Sequence, residues 1–177
     1  MTADPDGVLL LCYGNPGRLD DGLGAAFAEA LEGLIPPGVE VEVDYQLTVE
    51  HAATAASHRY VVFVDAAVDG REPYSFRRLH PGREATFSTH SVEPEAVLAM
   101  AGELFGHEPE GYALGIRGYS FDAFGEELSV GARRNLTAAL RFVLPLLQTR
   151  TFGAVAATLE PAAGAANGER TCETEST

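Results

Sequence analysis

Residues Val8-Leu9-Leu10-Leu11-Cys12-Tyr13 form an apolar run without alternation, cut off sharply by Gly14-Asn15-Pro16-Gly17. A strand with one wet face alternates apolar and polar side chains, so an unbroken run of this kind belongs to a strand covered on both faces. A second such run, Tyr60-Val61-Val62-Phe63-Val64, closes on the carboxylate of Asp65. Strands of this type need helices above and below them, which restricts the chain to a layered α/β architecture with a largely parallel sheet.

The intervening segments supply those layers. From about Asp21, Leu23, Phe27, Leu31 and Leu34 recur at helical spacing until Gly33 and Pro36-Pro37 end the pattern. Val39, Val41, Val43, Tyr45 and Leu47 alternate with Glu40, Glu42, Asp44 and Gln46, predicting a strand with one wet face. A short Ala-rich helix is predicted over residues 49–57. An edge strand is predicted over residues 74–79, bracketed by Pro73 and Pro81 and interrupted by two arginines. Residues 95–105 carry a helical face, residues 112–116 read as a strand, and a long helix runs from Ser129 to about Gln148, with Pro145 kinking its last turn. The expected fold is a three-layer α/β/α sandwich with a twisted, mostly parallel sheet of about five strands. One domain is expected over residues 1–157. Residues 158–177 hold a single Leu and no aromatic side chain, too little apolar area to offset ordering entropy, and are expected to be a disordered acidic tail.

A chain of 177 residues can bury a core without disulfide or metal staples. Cys12 and Cys172 lie at opposite ends and suggest neither a disulfide framework nor a zinc cluster. Against 26 acidic residues stand 12 basic ones, all of them Arg, for a formal charge of -14. Such a surface repels phosphate backbones and anionic lipid and suits a basic partner. With no basic leader at the N-terminus and no long apolar span, the expected location is cytoplasmic.

Sites in open α/β sheets form beyond the carboxyl ends of the strands, and three polar features fall there: the loop from Gly14 to Gly24, Asp65, and Ser88-Thr89-His90-Ser91. The Gly-rich loop matches neither phosphate-binding pattern, and Asp20-Asp21 would repel a phosphate. Helix capping alone accounts for that aspartate pair; Asp20 is then the cap, and Asp21 is left for a ligand. Asp is disfavoured in strands and costly when buried without a partner, so Asp65 after four apolar residues is a functional candidate. His90 is the histidine placed to join them. His80 competes without a motif around it, and His51, His58 and His107 are read as surface residues without a role. Two carboxylates and one imidazole would form a three-ligand site for nickel, zinc or manganese, open to a substrate group. No GxSxG elbow is present, and Cys12 lies inside a strand, so a covalent mechanism has little support.

The pattern Gly14-Asn15, four residues, then Asp20-Asp21-Gly22-Leu23-Gly24 resembles the signature of the hydrogenase maturation endopeptidases, which trim the C-terminal extension of nickel-iron hydrogenase large subunits. The resemblance covers about residues 7–148. The family's first metal-binding acid falls on Asp21 and its second, in a Val-Asp-Ala context, on Asp65. Its histidine falls on His90, with Val97 and Leu98 matching the helix that follows. Gly125-Glu126-Glu127-Leu128-Ser129 is also similar to a family pattern, whereas Ser91 to Ala96 departs from the commoner text. The resemblance implies an α/β/α sandwich and an endopeptidase that recognises nickel already inserted in the precursor. Asp21, Asp65 and His90 would be the metal-recognising and catalytic residues; the nickel belongs to the substrate, and no organic cofactor is implied. It also implies cleavage after a His or Arg near the precursor's C-terminal cysteine motif.

Two other readings compete. Gly14-Asn15-Pro16-Gly17 also resembles the start of bacterial peptidyl-tRNA hydrolases, but the continuation Arg18-Leu19-Asp20-Asp21 lacks that family's catalytic histidine and the charge disfavours tRNA. A non-catalytic chaperone or scaffold could instead hold the precursor through the acidic face.

Overall fold

The computed structural model describes residues 4–82 and 92–159. Its elements are β1 (Asp4–Tyr13), a 3-10 turn (Leu19–Gly22), α1 (Leu23–Ala30), β2 (Val39–Asp44), α2 (His51–Ala55), β3 (His58–Ala67), β4 (Tyr74–Leu79), α3 (Pro94–Phe105), β5 (Glu110–Arg117), α4 (Val130–Thr149) and α5 (Phe152–Leu159). The strands form one sheet in the order β2-β1-β3-β5-β4. Pairs β1–β2, β1–β3 and β3–β5 are parallel, and β4 closes the edge antiparallel to β5. This is the expected mostly parallel sheet with helices on both faces.

The two unbroken apolar runs lie side by side at its centre, and their side chains divide by parity. Val8, Leu10, Cys12, Val62 and Val64 pack under α1, α4 and α5. Leu9, Leu11, Val61 and Phe63 pack against α2 and α3. Burial pushes the Cys12 thiol up to about 12, so it is an inert core group. The chain leaves β1 toward β2 on one side and returns with β3 on the other, which puts the topological switch point between β1 and β3.

Where the sequence pattern and the structure part, the causes are local. β2 ends at Asp44, and its edge position leaves Val43 and Tyr45 exposed while Leu47 is buried from the following loop. Pro145 sits inside α4 without ending it. His51 and His58 are buried rather than superficial. His51 Nε2 lies 3.7 Å from Asp44 Oδ2 and His58 Nε2 3.1 Å from Glu40 Oε2, so both histidines tie the segment around α2 to the edge strand.

Helix α5 has no counterpart in the sequence reading. The chain turns after α4 at Arg150, whose left-handed backbone (φ 59°) is held by guanidinium bonds to the carbonyls of Asp6 and Pro37. Phe152 then enters the core between Tyr60 and Tyr112, with ring centroids 5.3 and 5.5 Å away. The helix carries regular structure through Leu159, past the expected boundary at 157, and Leu159 packs on the core. The rest of the expected tail, with Cys172, lies outside the described residues. No helix among the described residues is long and apolar enough to cross a membrane.

Phe152→Ala should therefore lower stability by about 3 kcal/mol in denaturant unfolding, the usual cost of truncating a buried aromatic ring. Deletion of residues 160–177 should leave the thermal midpoint within a few degrees; a larger drop would show that this segment docks.

Candidate functional site

At the switch point, the end of β1, the loop after it, the end of β3 and the start of α3 enclose a pocket of about 220 Å³ lined by Tyr13, Gly14, Asp21, Tyr45, Leu47, Asp65 and Glu93, among others. Its shape depends on close backbone approach. Gly14 has φ 129°, where side chains are disfavoured, and a Cβ there would strike the carbonyl of Asp21. A Cβ on Gly24 would strike the carbonyl of Tyr13, so α1 begins directly against the end of β1.

Asp65 follows Val61 and Phe63 on the α2/α3 face, one register step beyond the last paired core position, Cys12↔Val64. Its Oδ1 accepts the Ala66 N–H at 2.7 Å. Asp21 Oδ2 accepts the Asn15 N–H at 3.1 Å, while Asn15 Oδ1 accepts the Gly17 N–H at 2.9 Å, which folds the loop back on itself. The two predicted carboxylates thus share one pocket. Burial pushes the Asp65 carboxyl up to about 7; the Ala66 N–H opposes this, and the charges of Asp21 and Glu93 add to it. The Tyr13 hydroxyl is pushed above its ordinary range, first by burial and then by Asp65 and Glu93, so it stays protonated and able to donate.

Glu93 was not found from the sequence. It immediately precedes Pro94, the first residue of α3, in the stretch that departs from the commoner family text. Its position at a helix start, three residues after His90, is the only signal it carries. His90 itself lies outside the described residues. Among the described residues, no group of three or more His, Cys, Asp or Glu side chains is arranged to hold a metal ion.

Asp20 does not cap α1. Residue Gly22 occupies the cap position, and no side chain bonds there. Asp20 is instead fully buried and accepts from Tyr119 N (2.8 Å), Ser120 N (3.0 Å), Ser129 N (2.7 Å) and Ser129 Oγ (2.7 Å). Burial alone would raise its carboxyl, but these bonds together hold it below the ordinary range. Ser129 Oγ meanwhile accepts from Ala132 N, so the carboxylate is also tied to the cap of α4. A cap and a tertiary anchor look alike in sequence, because both are an Asp before a helix; only the partner 99 residues away distinguishes them.

Chemically, two carboxylates within mutual range, one holding its proton near neutrality, favour a cation that displaces that proton. The protonated Tyr13 is the neutral donor in the same pocket.

No family model matches the chain, and no curated protein matches it in sequence. Its fold does match solved structures. It is similar to the hydrogenase maturating endopeptidase HybD from E. coli, with TM-score 0.64, 22% identity, and coverage of 81% of this chain and 93% of that one. It is also similar to the [NiFe] hydrogenase maturation protease HycI from Thermococcus kodakarensis, with TM-score 0.63, 25% identity and coverage of 81% and 93%. A hydrogenase 2 maturation peptidase from a Thaumarchaeota archaeon matches with TM-score 0.59, 24% identity and coverage of 80% and 98%. The solved structures that share this fold are named for the same activity as the family that the sequence pattern resembles.

Two outcomes follow from the carboxylates. Because the folded Asp65 binds its proton more tightly than the unfolded chain does, the fold retains protons that the unfolded state has released between about pH 4 and 7. Its stabilising contribution is therefore complete below about pH 4 and is lost as pH rises through about 7. Asp65→Asn should match the parent at pH 4 and exceed it at pH 8 by about 2 kcal/mol, allowing for partial solvent contact; equal differences at both pH values would refute this. Asp20→Asn turns an amide toward donors and should cost about 3 kcal/mol, read by urea unfolding at neutral pH.

Proposed function

We propose that this chain is a cytoplasmic hydrogenase maturation endopeptidase, which removes the C-terminal extension of a nickel-iron hydrogenase large-subunit precursor after nickel insertion. The observation that carries this reading is the meeting of Asp21 and Asp65 in one pocket at the switch point, in a fold shared with proteins named for hydrogenase maturation. The substrate's nickel is the cation that the pair receives, and His90 is its third ligand. The sequence tethers His90 two residues from Val92, which lines the pocket, a span of at most about 7 Å of chain.

In this mechanism Asp21 and Asp65 bind the precursor's nickel and so hold the adjacent peptide segment in place. The attacking water is activated by whichever of Asp21 and Asp65 keeps an oxygen free of the metal. The scissile carbonyl is polarised by the substrate's metal, with the Tyr13 hydroxyl as an additional donor. One domain spans the peptidase and reaches past residue 157, through α5 to Leu159. Two carboxylates and one imidazole make a poor permanent cage, so the isolated enzyme carries well under one metal per chain.

The decisive experiment offers chelator-treated enzyme matched precursors with and without nickel. Cleavage of the nickel-loaded precursor alone is expected, with Asp21→Asn at least ~100-fold slower and its thermal midpoint within a few degrees. Equal cleavage of the nickel-free precursor would overturn nickel recognition. Activity returning only when zinc is added to the enzyme would make it an ordinary metalloprotease. Normal maturation by Asp21→Asn, with precursor binding intact, would mark a non-catalytic scaffold.

A further inference from the structure

The carboxyl end of the sheet, where the pocket lies, has a rim of exposed apolar side chains. Phe124, in the β5–α4 connection, is 91% exposed and Val130, the first residue of α4, 75% exposed; Val68, after β3, is 67% exposed, as is Tyr45, which lines the pocket. These are not scattered positions. The Gly118 N–H bonds to the Ala67 carbonyl, which joins the loop of Val68 to the loop of Phe124. Arg18 pairs with Gly125 as an isolated bridge and lies 5.9 Å from the Phe124 ring centroid, so Phe124 stands beside the loop that carries Asp21.

The loop that carries Phe124 is also held rigid. Asp20 fixes both of its ends through Tyr119, Ser120 and Ser129, and the Leu19 N–H bonds to the Gly125 carbonyl beside Phe124 itself. A large aromatic ring held in water on a pre-ordered loop gives up little conformational entropy when it is buried by a partner, which is the property of a binding anchor. Its neighbours Asp122, Glu126 and Glu127 are exposed carboxylates.

We infer that this rim is a docking surface for a folded protein, with Phe124 as its anchor in an apolar hollow of a partner whose surrounding surface is basic. Resting on the proposed function, that partner is the precursor itself, so substrate choice is made by the folded body of the large subunit as well as by the segment in the pocket. A second copy of this chain fits worse, because it would bring acidic rim against acidic rim. The bridge between Arg18 and Gly125 sets Phe124 beside the loop of Asp21, which also argues for one partner that reaches both.

The test measures binding of nickel-loaded precursor to the parent, to Phe124→Ser and to Val68→Ser, beside cleavage of a short nickel-binding peptide that spans the scissile bond. Phe124→Ser should keep the parent's thermal midpoint and its peptide cleavage, but bind the precursor at least ~10-fold more weakly, with KM raised far more than kcat falls. Val68→Ser should show a smaller loss in the same direction, and parent binding should weaken as salt rises. Unchanged precursor affinity in Phe124→Ser would overturn the inference while leaving the proposed function standing. Failure of the parent to bind the precursor would overturn the proposed function and this inference with it. Concentration-dependent dimerisation of the parent, lost in Phe124→Ser, would assign the rim to a second copy of the chain and refute the inference.

Discussion

The carboxylate of Asp20 joins two loops that the sequence separates by about a hundred residues. Fully buried, it would be costly if left alone, yet it accepts two backbone N–H groups on Oδ2, a third on Oδ1 and the Ser129 hydroxyl. Each bond to an ionised acceptor in a dry setting is stronger than its neutral counterpart, and here they converge on one group. The result fixes the loop after β1 against the loop after β5 and sets the start of α4. Asp21 is therefore carried on a rigid arm, and the pocket has a defined wall even though its floor is only the end of a sheet.

The adjacent aspartates show how one position decides a side chain's chemistry. Asp20 is saturated with donors inside the protein. Among the described residues, Asp21 receives a single N–H, from Asn15, on Oδ2. Asp65 likewise receives one from among them, Ala66, and faces other carboxylates. A group supplied with many donors is structural and stays ionised. Groups supplied with one each, and set against one another, are left with unmet demand for positive charge. That contrast, rather than the acidity of the whole surface, distinguishes the pocket from the remaining carboxylates.

The central layers of the fold were readable because the buried strands declare themselves through unbroken apolar runs and Asp65 breaks one of them. The edge elements were less readable. The alternation of Val39 to Leu47 predicts a longer strand than forms: β2 ends at Asp44, and Val43 and Tyr45 are exposed at the sheet edge. Helix α5 escaped notice because its run Phe-Gly-Ala-Val-Ala-Ala-Thr-Leu has no polar face to set a period. Asp20 was misread because its partners lie far away in sequence, and Glu93 because a glutamate before a helix is ordinary. Local pattern reports burial well and tertiary hydrogen bonding poorly.

The same distinction bears on recognition. A pocket of carboxylates selects for positive charge but is small, and many metal-bearing segments could satisfy it. Selectivity for one large folded substrate requires a second contact whose geometry is fixed relative to the first. Asp20 supplies that relation, because the loop it anchors carries Phe124 while the residue next to it is Asp21. On the proposed function, the distance between a metal at the carboxylates and the Phe124 anchor would be set by the protein's own hydrogen bonds and not by a flexible linker, so a partner would have to present both features at once to gain both contributions. Loosening the Asp20 anchor should therefore weaken discrimination between substrates before it abolishes the chemistry of the pocket.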